Sequence, residues 1–400
     1  MNIFRKKIKI GLLPKVIIAI ILGMLFGMAF SESRMNLPGL VRVFVTFSSI
    51  FSSFLGFSIP LIILGLVAPG IADLGKNAGR LLAITALIAY GSTIFSGFFT
   101  YFSCNAVFPY LIAPEPELLN VDDPESTLLT PFFTIEMPPV FGVMTALILA
   151  FILGIGIAIN KGETLKNALT EFKSIVELVI SAVIIPLLPI YIFGIFLNMT
   201  YSGTVFSIIG VFGKVIGIIF ILHILLLLIQ YIIAGAVVKR NPLRLLYTML
   251  PAYMTALGTS SSAATIPVTL AQTRKNGVRE DIADFCIPLC ATIHLAGSTM
   301  KIVAMSLAIC ILVGIPHDLS LYTAFILMLG VVMIAAPGVP GGAIMAATGV
   351  LQSMLGFDNE AIGLIIALYI AIDSFGTACN VTGDGAIALV VDKIAGKQNK

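Results

Sequence analysis

The sequence predicts an all-α polytopic membrane protein: eight transmembrane helices plus two re-entrant helical hairpins, arranged as inverted repeats. Three observations predict it. Of the 400 residues, 58% are hydrophobic and 11% charged, more apolar surface than a soluble domain can hide and a load that a bilayer accepts. Apolar runs long enough to span recur through the first 240 residues, with basic residues in alternate connections. Beyond Leu245 the apolar segments are instead repeatedly broken by runs of small residues.

The spanning runs lie near 11–30, 41–67, 81–103, 140–159, 175–197 and 205–238. Arg5, Lys6, Lys7 and Lys9 precede the first, which is long enough to span rather than be cleaved as a leader. Lys76 and Arg80, then Lys161 and Lys166, then Lys239, Arg240 and Arg244, fill every second connection. Between them lie the acidic, lysine-free stretch Glu115–Glu125 and the uncharged Met199–Gly203. The positive-inside rule puts the N-terminus in the cytoplasm and returns the chain there near Lys239, with Arg34 and Arg42 as exceptions. Lys393, Lys397 and Lys400 close the chain on the same side. Short loops and the absence of a cleaved leader point to a prokaryotic plasma membrane, both termini cytoplasmic.

The last third reads as hairpin, broken helix, hairpin, broken helix. Its interruptions are Gly258–Pro267 (GTSSSAATIP), His294–Thr299 (HLAGST), Ala335–Gly342 (AAPGVPGG) and Asn380–Gly385 (NVTGDG). These give a first hairpin at about 245–272, a seventh helix at about 282–315, a second hairpin at about 321–356 and an eighth helix at about 359–391. The first hairpin starts and ends beside cytoplasmic charges, and the second, between Asp318 and Asp358, on the other side. Non-helical backbone at membrane depth is tolerated where it is buried in protein or lines a cavity. The alternating order of four breaks favours inverted repeats over merely kinked helices.

The last span carries most of the chemistry. Asp373, Thr377, Asn380 and Asp384 are spaced i, i+4, i+7 and i+11, so they share one helical stripe among apolar neighbours. Each carboxylate in a span costs about 2.5–3.5 kcal/mol by insertion scales unless it faces a partner or an aqueous site. The stripe can form a site wall: one carboxylate for an ammonium, an amide and hydroxyl for a carboxylate, a second carboxylate for a cation. The preceding broken span has a matching stripe in His294, Ser298 and Lys301. Lys301 either pairs or snorkels structurally, or belongs to the coupling machinery, and His294 beside a break is either a satisfied core residue or a functional one. Thr292 lies next to this stripe. Ser260, Ser261 and Ser262 offer hydroxyls and free N–H groups suited to an anion near helix ends. The second tip, with Gly338, Val339, Pro340 and Gly341, suits a lid, because its glycines permit unusual backbone angles.

Several classes are excluded. The basic residues sit at the ends of apolar runs, so nothing marks a nucleic-acid partner. Cys104, Cys286, Cys290, Cys310 and Cys379 are scattered without metal-ligand or disulfide spacing. No nucleophile–base set, HExxH or phosphate-binding loop is present, so neither an enzyme nor an ATP-driven pump is indicated.

At these residues the chain resembles the dicarboxylate/amino acid:cation symporter family, the family of the glutamate transporters. The resemblance runs through most of the chain and is carried by TSSSAATIPV, PGVPGG and NVTGD. It implies a homotrimer of elevator-type carriers that move a small amino acid across a lipid bilayer. Residues 1–240 would be mainly scaffold and trimerisation helices, with the third and sixth helices belonging to the mobile part, and residues 241–400 the transport core. By position, Asp373 and Thr377 would take the α-amino group and Asn380 the α-carboxylate. Ser261 and the second tip would close the site, and Asp384 would hold a cation, Na+ being the one ion and no cofactor being expected.

The departures are informative. Acidic-substrate members carry an arginine where this chain has Gly376, which disfavours glutamate, aspartate and dicarboxylates and leaves room for a neutral amino acid. The family's NMDGT reads here as HLAGS, with Ala296 and His294 in place of ion ligands, and Met333 and Ala336 replace further polar groups. Lys301 supplies a replacement charge, since an ammonium can stand where a bound cation stood. Two coupling schemes follow: sodium at Asp384 with reduced stoichiometry, or coupling by protons or by no ion, through Lys301 with His294. A non-transporting membrane sensor is the alternative class, and the two opposed tips argue against it. An acidic substrate with a different carboxylate partner is the other.

Overall fold

A computed structural model describes residues 12–31, 34–76, 80–112, 129–160, 162–203, 205–334, 336 and 341–396. Among these residues the regular structure is helical throughout. Seven elements fill the first part: α1 (Leu12–Phe30), α2 (Pro38–Lys76), α3 (Arg80–Leu111), α4 (Val143–Asn160), α5 (Glu163–Val179), α6 (Ile185–Tyr201) and α7 (Val205–Val238). α5 continues into α6 through one π turn, Ile180–Ile184. The run therefore starts twelve residues before the predicted 175–197, because α5 opens with the charged, amphipathic ETLKNALTEF, which an apolar window passes over.

Lipid-facing surfaces are apolar. Ile18, Ile21 and Leu25 on α1, Ile148, Ile152 and Ile159 on α4, and Ile221, Ile224 and Ile232 on α7 are all exposed, the arrangement a bilayer requires. Among the described residues five helical runs are long and apolar enough to cross a membrane, and one bent pair makes a sixth, while α1 and α4 hold shorter apolar stretches.

The last third contains α8 (Pro242–Thr248), α9 (Leu250–Thr259), α10 (Ser262–Lys275), α11 (Glu280–Ile293), α12 (Ala296–Val313), α13 (Leu319–Ile334), α14 (Gly342–Leu355), α15 (Asn359–Ala371) and α16 (Asp373–Gly396). Local chemistry sets their ends. Asn241 caps α8, its side chain accepting from the N–H groups of Leu243 and Arg244, with Pro242 as the first helical residue. Asp318 accepts from Ser320 and Leu321 at the start of α13, and Asp358 from Ala361 at the start of α15. Gly314 and Gly356, both at positive φ, end α12 and α14.

Helix pairs lie over both stretches read as hairpins, and α11 and α12 are broken at His294–Leu295. α9 and α10 turn at Ser260–Ser261, and α13 and α14 flank the second tip, where Gly338, Val339 and Pro340 lie outside the described residues. Arg279 pairs with Asp392 at 2.7 Å, and the Asn276 amide donates to the Leu245 carbonyl at 2.9 Å. These contacts hold both ends of the first hairpin, the start of α11 and the end of α16 together.

One break is not where the sequence suggested. The last span bends by 63° between α15 and α16, at Ile372, and the helix then runs unbroken through Asn380–Gly385. The glycines there serve close packing, which a helix interior tolerates at a cost of about 1 kcal/mol each relative to alanine. A Cβ on Gly385 would lie 2.8 Å from Met249 and 2.9 Å from the Tyr231 hydroxyl. Upstream, Ile372 leaves the helical region (φ −121°, ψ 21°), and its carbonyl accepts from Lys301.

Candidate functional site

α12 is buried along almost its whole length. It meets α16 at very short range, because a Cβ on Gly297 would lie 2.6 Å from Cys379 Cβ and 2.8 Å from the Gly376 carbonyl oxygen. Such small-residue contacts let membrane helices approach backbone to backbone. Here they set the two polar stripes face to face, and the stripes pair in three rungs.

In the first rung Lys301 Nζ lies 3.2 Å from Asp373 Oδ1 and 3.4 Å from the Ile372 carbonyl oxygen. It also stands over the Tyr369 ring, 3.6 Å from the centroid, where the ring quadrupole attracts a cation. Lys301 is 1% exposed and Asp373 7%, so the pair is withdrawn from water. The other carboxylate oxygen, Asp373 Oδ2, accepts the Gly341 N–H at 2.8 Å, which joins the second hairpin to the same residue. Gly341 has φ +76°, a value glycine adopts freely.

The second rung is neutral. Asn380 Oδ1 accepts from the N–H groups of Gly297 (2.8 Å) and Ser298 (3.4 Å), two orphan donors at the start of α12. Asn380 Nδ2 donates to Ser298 Oγ at 3.1 Å, and the Tyr369 hydroxyl donates to the same oxygen at 2.9 Å.

In the third rung His294 Nδ1 lies 2.9 Å from Asp384 Oδ1, with exposures of 0% and 1%. His294 Nε2 lies 3.1 Å from Ser92 Oγ, which accepts from Gln230 Nε2 at 3.0 Å. A neutral His294 satisfies both neighbours if Ser92 donates to Nε2 and Nδ1–H donates to Asp384. A cavity of about 300 Å³ between α3, α7 and α16 reaches Ser92, Gln230 and Gly383. The Tyr231 hydroxyl donates to the Thr382 carbonyl at 2.8 Å and fixes α16 beside this rung.

The remaining candidates are placed differently. The Thr377 hydroxyl turns back to the Asp373 carbonyl at 3.1 Å. Thr292 is exposed and bonded to the Leu289 carbonyl, away from the rungs. Ser260 adopts a left-handed conformation, and Ser261 caps α10 by accepting from Ala264 N–H. Ser262 is buried in that helix's first turn. Both arms of this hairpin pack on α16. The space beside Gly376, expected to be room for a substrate, is filled by Lys301: a Cβ there would lie 2.4 Å from its Cε.

Tyr369, Ser92 and Gln230 went unread in the sequence. Tyr369 precedes Asp373 by one helical turn, and Gln230 is a lone amide in LLLLIQYII, a costly residue to place in a span without a partner. Both positions could have marked them.

Hard cations require a shell of oxygen ligands. Here one oxygen of Asp384 is engaged by His294, and Ala296, Met333 and Ala336 are buried apolar groups.

Comparison with known proteins matches residues 12–394 to the sodium:dicarboxylate symporter family. Among individual relatives are two proteins named serine/threonine transporter SstT, from Acinetobacter baumannii strain SDF and strain ATCC 17978. Each is 27% identical over 98% of this chain and 98% of its own length.

Proposed function

Because the chain belongs to the sodium:dicarboxylate symporter family, we propose that it carries a small neutral amino acid, of the size of serine or threonine. Membership makes it a membrane transporter, not an enzyme. The observation that carries the substrate reading is the Lys301–Asp373 pair. It engages the buried Lys301 on Asp373 at 3.2 Å, so this cation is not free for a second substrate carboxylate. A buried carboxylate without a partner is strongly disfavoured. The names of the two 27% identical relatives support the same substrate.

Asp373 takes the α-ammonium, with Thr377 and Asn380 on the same face, and the serine tip and second tip close the site. Uptake of labelled serine and threonine into proteoliposomes tests this, with aspartate as competitor. Accumulation insensitive to excess aspartate supports the proposal. Accumulation of aspartate instead would make Lys301 a carboxylate partner and overturn the neutral reading. Binding without accumulation would mean a sensor.

Coupling is assigned to Asp384 and His294. Their 2.9 Å contact leaves no gap for a metal ion between them, whereas a proton can be held by the pair, with Ser92 and Gln230 leading to the adjacent cavity. An inward proton gradient imposed without sodium tests this, and accumulation that needs sodium and ignores pH would sink it.

The division into scaffold and moving core is part of the same proposal. α1 packs on α6 and α2 on α4, while α3 and α7 pack on α12 and α16, which supports assigning α3 and α7 to the mobile half. A homotrimer with cytoplasmic termini completes the reading, supported by the family and by the basic flanks. Crosslinking in native membranes checks the trimer.

A further inference from the structure

The amine subsite proposed above already holds an ammonium, the protein's own. Lys301 Nζ is held by Asp373 Oδ1, by the Ile372 carbonyl and by the Tyr369 ring face. A carboxylate, a carbonyl and an aromatic face recognise any primary ammonium. Gly376 makes this placement possible by lacking a Cβ, and Gly341 takes the other Asp373 oxygen.

Charge balance then decides how a substrate must enter. Asp373 and Lys301 are both buried and neutralise each other. An amino acid whose ammonium displaces Lys301 from Asp373 would leave a buried lysine with no partner, an arrangement that is strongly destabilised. The substrate carries the remedy, since its α-carboxylate lies two bonds from its α-nitrogen. The lysine stem is flexible and its ammonium is a mobile point charge.

Resting on the amino acid transporter reading, we infer that a zwitterionic amino acid binds by inserting between Lys301 and Asp373. Its α-ammonium replaces the lysine on Asp373 and its α-carboxylate takes the released lysine. The ion pair is thus the carrier's stand-in for the substrate. The first rung is neutral with and without substrate, so neither state brings an uncompensated charge into the membrane at this position. An amino acid with a second carboxylate would break that balance, which gives the preference for neutral substrates a physical cause.

The test is an inversion of specificity. Purified wild-type protein should bind serine and neither ethanolamine, which lacks the carboxylate, nor glycerate, which lacks the amine. Lys301→Met leaves Asp373 needing one positive charge. It should lose about a hundredfold or more in serine affinity and gain binding of ethanolamine. Asp373→Asn is the mirror case and should gain glycerate. If Lys301→Met binds serine as the wild type does, or remains folded and gains no affinity for ethanolamine, the inference is wrong. Should Lys301→Met not survive purification, Asp373→Asn decides alone, and absence of glycerate binding overturns the inference. A wild type that binds neither serine nor threonine would instead defeat the substrate reading on which this rests.

Discussion

Lys301 occupies the volume that a side chain at Gly376 would need: a Cβ on Gly376 would lie 2.5 Å from the lysine Nζ and 2.4 Å from its Cε. The two positions lie on different helices and are therefore one structural choice. This chain brings a cation from α12 to the face of α16 at Gly376 and pairs it with Asp373.

Gly376→Ala should therefore act through Lys301. The added methyl group must push the lysine off Asp373, with an overpacking cost of about 1–3 kcal/mol. Thermal unfolding in detergent should show a clear fall in melting temperature. In a Lys301→Ala background the same substitution should add little, because the obstructing side chain is gone.

Removing one member of the first rung should be worse than removing both. Lys301→Met or Asp373→Asn each leaves a buried charge without its partner, a loss of about 3–5 kcal/mol. The double substitution removes both charges and should recover much of that stability without recovering amino acid binding. A double-mutant cycle on melting temperatures measures the coupling, and additive losses would mean that the pair is solvent-screened rather than buried.

Tyr369 has two separable duties. Tyr369→Phe keeps the ring under Lys301 and removes the hydroxyl bond to Ser298, so it should lose about 0.5–1.5 kcal/mol. Tyr369→Leu also removes the ring face and should lose about 0.5–2 kcal/mol more. Equal effects in thermal unfolding would assign the residue to packing alone.

His294→Asn and Asp384→Asn should each abolish accumulation driven by an acid exterior. Exchange of labelled for unlabelled substrate at equal pH on both sides should persist, since it needs no net proton movement. Proteoliposome flux in the two modes separates the effects, and parallel loss of both would make the third rung structural.

Much of this arrangement was legible in the chain. The intervals 373, 377, 380, 384 and 294, 298, 301 put polar groups on two helical stripes, and periodicity needs nothing but the 3.6-residue turn. Lys301 and His294 stood out because ionisable residues in apolar runs are costly unless paired. The partner of each was not legible. That Lys301 meets Asp373, Ser298 meets Asn380 and His294 meets Asp384 depends on where α12 crosses α16, and the near-contact of Gly297 with Gly376 and Cys379 sets that crossing. The bend at Ile372 was likewise misplaced at Asn380–Gly385. A glycine that opens a helix and a glycine that lets another helix approach look the same in a sequence.

By itself, then, the sequence determined the membrane class, the all-helical fold, and the residue types available to a site. Those follow from hydropathy, charge flanks and spacing, which are local properties. Only the tertiary structure decided that the empty position at Gly376 is filled from another helix, that Asp373 also holds the second hairpin through Gly341, and that Ser92 and Gln230 extend the Asp384–His294 pair toward a cavity. The reason is physical: a buried charge is defined by its partner, and partners 72 or 90 residues apart in the chain are chosen by packing.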